Sequence, residues 1–258
     1  MNDVADESLL ITIITVVLNA KTNLKKTIHS VAEQDYPGIE YLVIDGGSVD
    51  GSVDVIRQYH PSVISKWLSE KDEGIYSAMN KGAKMASGNR VCFLNAGDVF
   101  ADNAIVRKVA EVVHTTQEQP DIVYGNILVR KPGMSRMVER IAQSPRNSHR
   151  MYFCHQSAFV RLDLLRQYPF DERYKLSADL KFFKQCRSGG KQFFQLDFPI
   201  VIYDTFGLSN IDRERGLREN ISVVKEMDSG LEKYKFLFRL YFVIYLRKLF
   251  RKHKRSRK

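Results

Sequence analysis

Three consecutive stretches decide how this chain folds: YLVIDGGSVDGS (Tyr41–Ser52), SEKDEGIYSAMNKGAKMASG (Ser69–Gly88) and RVCFLNAGD (Arg90–Asp98). In the first and third, a short apolar run ends in small and acidic residues. The second is a helical pattern between them. Apolar runs that alternate with helices are strands buried on both faces of a parallel sheet. In such sheets ligands gather outside the carboxyl ends of the strands. Acids collected there point to a nucleotide and a metal.

The flanking sequence extends this pattern. ITIITVVLN (Ile11–Asn19) is a near-continuous β-branched run and is predicted as the first strand, with Asn19 placed to cap the helix that carries Leu24, Ile28 and Val31. A third strand is predicted over Val63–Leu68, a helix over Gly74–Ala86, and a strand over Ile122–Val129 after a helix bearing Ile105, Val109 and Val112. Lys131–Ser148 has no period and reads as a mobile loop. Two short strands, Gln192–Leu196 and Ile200–Tyr203, and a helix over Asp212–Met227 are expected further on. The fold class is therefore α/β, a mostly parallel sheet with helices on both faces. We divide the chain into an extension (1–9), a main domain (10–210) and C-terminal helices with a basic tail (211–258). The main domain splits into a nucleotide-binding half (10–130) and an acceptor half (131–210).

The net charge of +10 is confined to the end of the chain. After Glu232 there are eleven basic residues and no acid; without them 29 basic residues face 30 acidic ones. The near-neutral body argues against nucleic acid as a partner. Leu240–Leu246 is a seven-residue apolar run, far short of the ~20 needed to cross a bilayer. A basic, aromatic-rich helix of this kind suits an anionic membrane surface. Three scattered cysteines without metal spacing suggest a reducing compartment, and the acidic, polar N-terminus does not resemble a secretory leader.

Several residues can carry chemistry, each with a plainer alternative. Asp45 ends a strand and can accept hydrogen bonds from a base or ribose, or simply cap the next turn. Asp98 can bind Mg²⁺ or Mn²⁺ beside a diphosphate, or close an Asx-turn. Asn80 interrupts a good helix with a poor helix former, so either it faces solvent or its side chain has a task. Asp179 can take a proton or cap its helix, and His155 in an aromatic stretch can be catalytic or structural.

Taken in order, TVVLN, VIDGGSVDGS, EKDEGIYSAMNKGAKMASG, FLNAGD, CHQSAFVR and FDERYKLSADLKFF resemble the family 2 glycosyltransferases of the GT-A fold, of the bacterial exopolysaccharide and lipopolysaccharide type. The resemblance spans roughly residues 10 to 205. It implies an inverting transfer from a nucleotide-sugar, assisted by a divalent cation (Mn or Mg). Asp45 matches the family's base-contacting aspartate; Thr15 and Asn19 fall in the pocket-lining first-strand segment, and Asn80 and Asn95 join them on the nucleotide-sugar side. Asp98 stands at the DxD-type metal site, Asp179 at the expected general base, and His155-Gln156 at an HQ pair on the acceptor side. The leaving diphosphate would be stabilised by that cation or, alternatively, by basic groups of the loop at Arg136, Arg140 and Arg146. Two departures stand out. The common LDxDD is here Leu94-Asn95-Ala96-Gly97-Asp98, and Ala178 replaces the first acid of the ED pair. The implied partners are a nucleotide-sugar donor and a glycan or lipid-linked acceptor at the cytoplasmic face of the membrane. Rival functions are a nucleotide-sugar-binding protein without turnover and a nucleotidyltransferase.

Overall fold

The computed structural model describes residues 9–117, 119–130, 136–204 and 212–255, with side chains as far as Arg247. The sheet begins as expected. β1 (Ile11–Val17), buried at every position, pairs in parallel with β2 (Ile39–Asp45) and β4 (Arg90–Phe93), and β3 (Lys66–Ser69) extends the β2 edge. Between them run α1 (Lys21–Ala32), α2 (Ser52–Tyr59) and α3 (Ile75–Met85). Alternation along β1 divides the core. Ile14 and Val16 face one apolar cluster with α3, while Ile11, Ile13 and Val17 face another with α1 and α2. This period of two is what a doubly covered strand requires.

Beyond β4 the sheet becomes mixed. The further elements are β5 (Val99–Phe100), α4 (Ile105–Thr115), β6 (Ile122–Arg130), β7 (Met137–Arg140), β8 (Ala158–Arg161), α5 (Leu162–Gln167), α6 (Ala178–Ser188) and β9 (Phe193–Tyr203). Strand order is β3-β2-β1-β4-β8-β6-β9-β5, with β7 added to β6. β8 lies antiparallel between β4 and β6, so strands from residues 10–130 and from 131–210 share one sheet.

Two predictions are corrected here. Lys131–Ser148 is not wholly loop, since Met137–Arg140 pairs with β6; residues 131–135 lie outside the described part. The two short strands at 192–203 are one strand. Its pairing with β6 shifts register where Asn126 meets Pro199, and a proline that cannot donate to the ladder breaks the alternation that a sequence reading relies on.

Local chemistry explains how α1 and α3 are seated. Asn19 does not cap α1. It adopts a left-handed backbone (φ 49) and ties the β1–α1 loop to the β2–α2 loop: its N–H donates to Ser48 Oγ and its Oδ1 accepts from Val49 N. The Lys21 N–H at the start of α1 instead donates to Asp50, which also receives Ser52 N–H, so one carboxylate serves two helix starts. In α3, a side chain at Gly82 would come within 2.6 Å of Ile14, so glycine is what lets the helix lie directly on β1.

Asn80 is nearly buried on α3. Its Nδ2 donates to Phe170 O (2.8 Å) and its Oδ1 accepts from Phe170 N (2.9 Å), pinning the segment that leads to α6. Asn80→Ala leaves both backbone groups unpartnered, which should cost roughly 1–3 kcal/mol. A lowered denaturation midpoint at unchanged m-value is the expected result in urea; an unchanged midpoint would contradict this role.

Candidate active site

A cleft of about 430 Å³ opens at the carboxyl ends of β1 and β4 and is closed on the far side by the start of α6. Four aspartates line it, Asp72, Asp98, Asp179 and Asp204, against Lys175 and His155. One of them, Asp72, is offset by Lys81 at 2.5 Å. The excess of carboxylates means that an anionic ligand needs added positive charge to enter.

Asp45 stands just behind this wall, one residue before the cleft-lining Gly46. Its Oδ2 accepts from Gly47 N, Ser48 N and Ser69 Oγ (3.1, 3.0 and 2.7 Å), so the turn-capping role is real. Its Oδ1 is buried without a partner among the described residues. A buried carboxylate oxygen in that state is an acceptor available to a ligand.

The Asn95–Asp98 loop, the expected metal site, meets the end of β9. β5 pairs with β9, setting Val99 opposite Ile202 and bringing Asp98 beside Asp204 at the end of β9. The Asp204 N–H donates to Asp98 Oδ1 at 2.8 Å. Gly97 has φ +110, and a Cβ there would lie 2.7 Å from Asp204 Oδ2. The acid absent at position 97 has no room, because the Asp204 carboxylate fills that space. From α1, Thr27 accepts the Gly97 N–H and donates to Asp98 O, fixing the loop. Burial pushes the Asp98 carboxyl up to about 7, with the Asp204 charge adding to the effect; the Asp204 N–H, His155 and Gln156 only partly offset it. Two apposed carboxylates, one of them short of counter-charge, suit a hard divalent cation. Among the described residues no group of three or more acidic, histidine or cysteine side chains forms a complete cage, so a cation here would take its remaining ligands from water or substrate.

The cleft also carries a hydrogen-bonded chain. Asp179, at the start of α6, accepts Tyr76 OH (3.0 Å) and its neighbour's Leu180 N–H (2.8 Å) on Oδ1, and faces His155 Nδ1 (2.9 Å) with Oδ2. Asn95 Nδ2 lies 3.5 Å from the other nitrogen, His155 Nε2. Burial alone would raise the Asp179 pKa, but the hydrogen bond and charge of His155, with Leu180 N–H and Tyr76 OH, hold it below the ordinary carboxylate range.

The cleft therefore collects Asn95, Asp98, His155, Gln156 and Asp179, with Asp45 and Asn19 in the loops at its rim. It does not collect two others. Thr15 is fully buried, its hydroxyl donating to Leu94 O and accepting from Tyr41 OH, so it joins β1 to its neighbours. Asn80 is committed to Phe170. None of Arg136, Arg140 and Arg146 lines the cleft; Arg146 turns to Gln143. Asp204 was missed, although Ile200–Asp204 has the same apolar-run-then-acid form as Tyr41–Asp45. Tyr76 gave no signal, because one tyrosine on an apolar helix face is indistinguishable from core.

Comparison with known proteins identifies the family and the fold. A family model described as "Glycosyl transferase family 2" matches residues 12–170. A Mycobacterium bovis protein named "PGL/p-HBAD biosynthesis glycosyltransferase" is 29% identical over 216 residues, covering 80% of this chain and 82% of the relative. The fold is shared with S. aureus TarS 1-349 in complex with UDP-GlcNAc (TM-score 0.68, 17% identity, 90% of this chain and 72% of that one). It is also shared with the mannosyltransferase PcManGT from Pyrobaculum calidifontis in complex with GDP-Man and Mn²⁺ (TM-score 0.67, 15% identity, 92% and 70%).

Because the folded-state pKa of Asp98 is raised, its stabilising contribution is full below about pH 4 and is lost as pH climbs to about 7. Asp98→Asn does not titrate. In EDTA, the Tm of this variant relative to wild type should therefore rise by several degrees between those limits and then level off. A flat difference across that range would refute the buried-charge account.

Proposed function

Since this chain belongs to glycosyl transferase family 2, we propose that its cleft moves a sugar from a nucleoside-diphosphate donor to an acceptor hydroxyl with inversion at the anomeric carbon. The chain is a nucleotide-sugar-dependent glycosyltransferase. The observation that carries the finer reading is the presence of two unlike carboxylate groups in one cleft. Asp98 and Asp204 suit a cation-bound diphosphate, and the Asp179–His155 pair can receive a proton. A single displacement needs both tasks, neutralisation of the leaving group and removal of the attacking hydroxyl's proton, and separate residues are at hand for each.

The parts then take these roles. Asp45 Oδ1 accepts from the nucleoside. Asp98 and Asp204 would hold Mn²⁺ or Mg²⁺, which supplies charge neutralisation of the departing diphosphate. The cation reading is favoured over the arginine one, because the three loop arginines stand outside the cleft. Gln156, packed beside Asp98, supports that carboxylate instead of the acceptor. The family assignment sets aside a nucleotidyltransferase. Incubation with a panel of nucleotide-sugars should show one donor that raises Tm strongly with Mn²⁺ and little in EDTA; a ligand at a hundred times its Kd adds about 2.7 kcal/mol. That donor should also release its nucleotide. A shift without release would favour the binding-protein alternative.

A glycan or lipid-linked acceptor of bacterial surface polysaccharide synthesis fits this chemistry, and the C-terminus supports work at a membrane. α7 (Arg213–Met227) packs on α8 (Gly230–Arg255) through Ile221 and Val224 against Phe236, Leu240 and Ile244. α8 also has an outer face. Leu231, Tyr234, Phe238, Tyr241, Phe242 and Tyr245 recur at steps of three and four and are exposed. Among the described residues no helix is long and apolar enough to cross a membrane. An exposed aromatic face flanked by cations fits the headgroup region of an anionic inner leaflet, which would place the protein peripherally on the cytoplasmic side. Replacing Tyr234, Phe238 and Phe242 by Ser should cut sedimentation with phosphatidylglycerol vesicles at least tenfold and leave Tm nearly unchanged. Undiminished sedimentation would remove the membrane assignment.

A further inference from the structure

The group that accepts the proton can be named more closely, given the transfer reaction proposed above. Asp179 makes a poor candidate on geometry. Both of its oxygens are engaged, Oδ1 by Tyr76 OH and Leu180 N–H and Oδ2 by His155, and all three partners stabilise its charged form. Protonating it would weaken those bonds at the moment of reaction.

His155 has the complementary arrangement. An ionised carboxylate can only accept, so the 2.9 Å contact to Asp179 Oδ2 requires the proton on Nδ1. In the neutral ring that leaves Nε2 with a lone pair. Asn95 Nδ2, a donor, lies 3.5 Å from it and favours the same tautomer. His155 lines the cleft on a short 3-10 turn (His155–Ser157) immediately before β8. Tyr76 in turn fixes the far oxygen of Asp179 from α3.

We propose that His155 Nε2 accepts the proton of the attacking hydroxyl, and that Asp179 is a positioning residue that holds the ring as the Nδ1–H tautomer. In the step, the acceptor O–H breaks and its proton passes to Nε2. The oxygen pair forms the new bond to the anomeric carbon, and the bond to the diphosphate breaks with its electrons leaving on the phosphate oxygen. The imidazolium that results lies against the Asp179 carboxylate and returns its proton to solvent after product release. This divides between two residues what the ED motif of the family assigns to a carboxylate.

The test joins a spectroscopic readout to a kinetic one. In full-length protein labelled with ¹⁵N-histidine, long-range ¹⁵N–¹H spectra, assigned by loss of the signal in His155→Gln, should show the Nδ1–H tautomer for His155, and Asp179→Asn should abolish that preference. For the donor found in the nucleotide-sugar panel, His155→Ala and His155→Gln should lower kcat for nucleotide release by about 10²–10⁴-fold with donor KM within a few-fold of wild type. Added imidazole should restore at least tenfold to His155→Ala and nothing to Asp179→Asn. An Nε2–H tautomer in the wild type overturns the proposal, as does His155→Gln retaining most of its kcat while Asp179→Asn loses it. A wild type that neither binds nor turns over any nucleotide-sugar overturns the transfer reaction and this assignment with it. That failure is distinguishable, because the tautomer is read without substrate.

Discussion

Like charges brought close together in a poorly solvated place must be neutralised, and the cleft of this protein is arranged around that constraint. A parallel sheet delivers the carboxyl ends of its strands to a single edge. Here β2 and β9 each end in or run into an aspartate, β4 leads to one through a four-residue loop, and α6 begins with another. The four cleft carboxylates are not equivalent. Asp72 has a lysine, Asp179 has a histidine, a tyrosine and a backbone N–H, and Asp98 has chiefly backbone and amide donors together with a second acid at its side. Of these three, the unevenness leaves Asp98 the carboxylate with the least counter-charge and Asp179 the one with the most hydrogen-bond partners.

Gly97 sits where a carboxylate from far along the chain fills the space beside it. A left-handed backbone and the proximity of the Asp204 carboxylate leave no room for a side chain at that position. The second acid comes from β9, 106 residues beyond Asp98, through a two-residue strand that pairs β5 with β9. Short-range pattern matching registers the loss at position 97 and has no means of registering the gain. The same holds for the hydrogen-bonded chain: Tyr76, His155 and Asp179 come from α3, from the turn before β8 and from α6, and only packing joins them.

The C-terminal helix follows a related logic. One of its faces is consumed by α7, in a small cluster separate from the two clusters of the sheet. The second face repeats apolar residues at helical spacing and finds no partner within the described chain. Sequence alone merges the two faces into an apolar, basic tail, because the period identifies a helix without saying which side is already occupied.

Much was therefore legible before any coordinates. Continuous β-branched runs ending in small and acidic residues determined a parallel sheet with helices on both faces, because such strands survive only when both faces are buried. Asp45, Asp98 and Asp179 were singled out by their place at strand and helix ends, and the structure brings Asp98 and Asp179 into one cleft with Asp45 just behind it. Thr15 was placed in the site by the family resemblance, and Asn80 because a poor helix former inside a helix suggests a task. Their tasks proved to be structural, satisfying Leu94 O, Tyr41 OH and the Phe170 backbone. Only the tertiary structure decided which acids meet, that the Asp204 carboxylate fills the space beside Gly97, and that Asp179 is held by His155 and Tyr76. Hydrogen bonds and charge act through a few ångströms of space, and residues 106 apart in the chain become neighbours only once the sheet has closed.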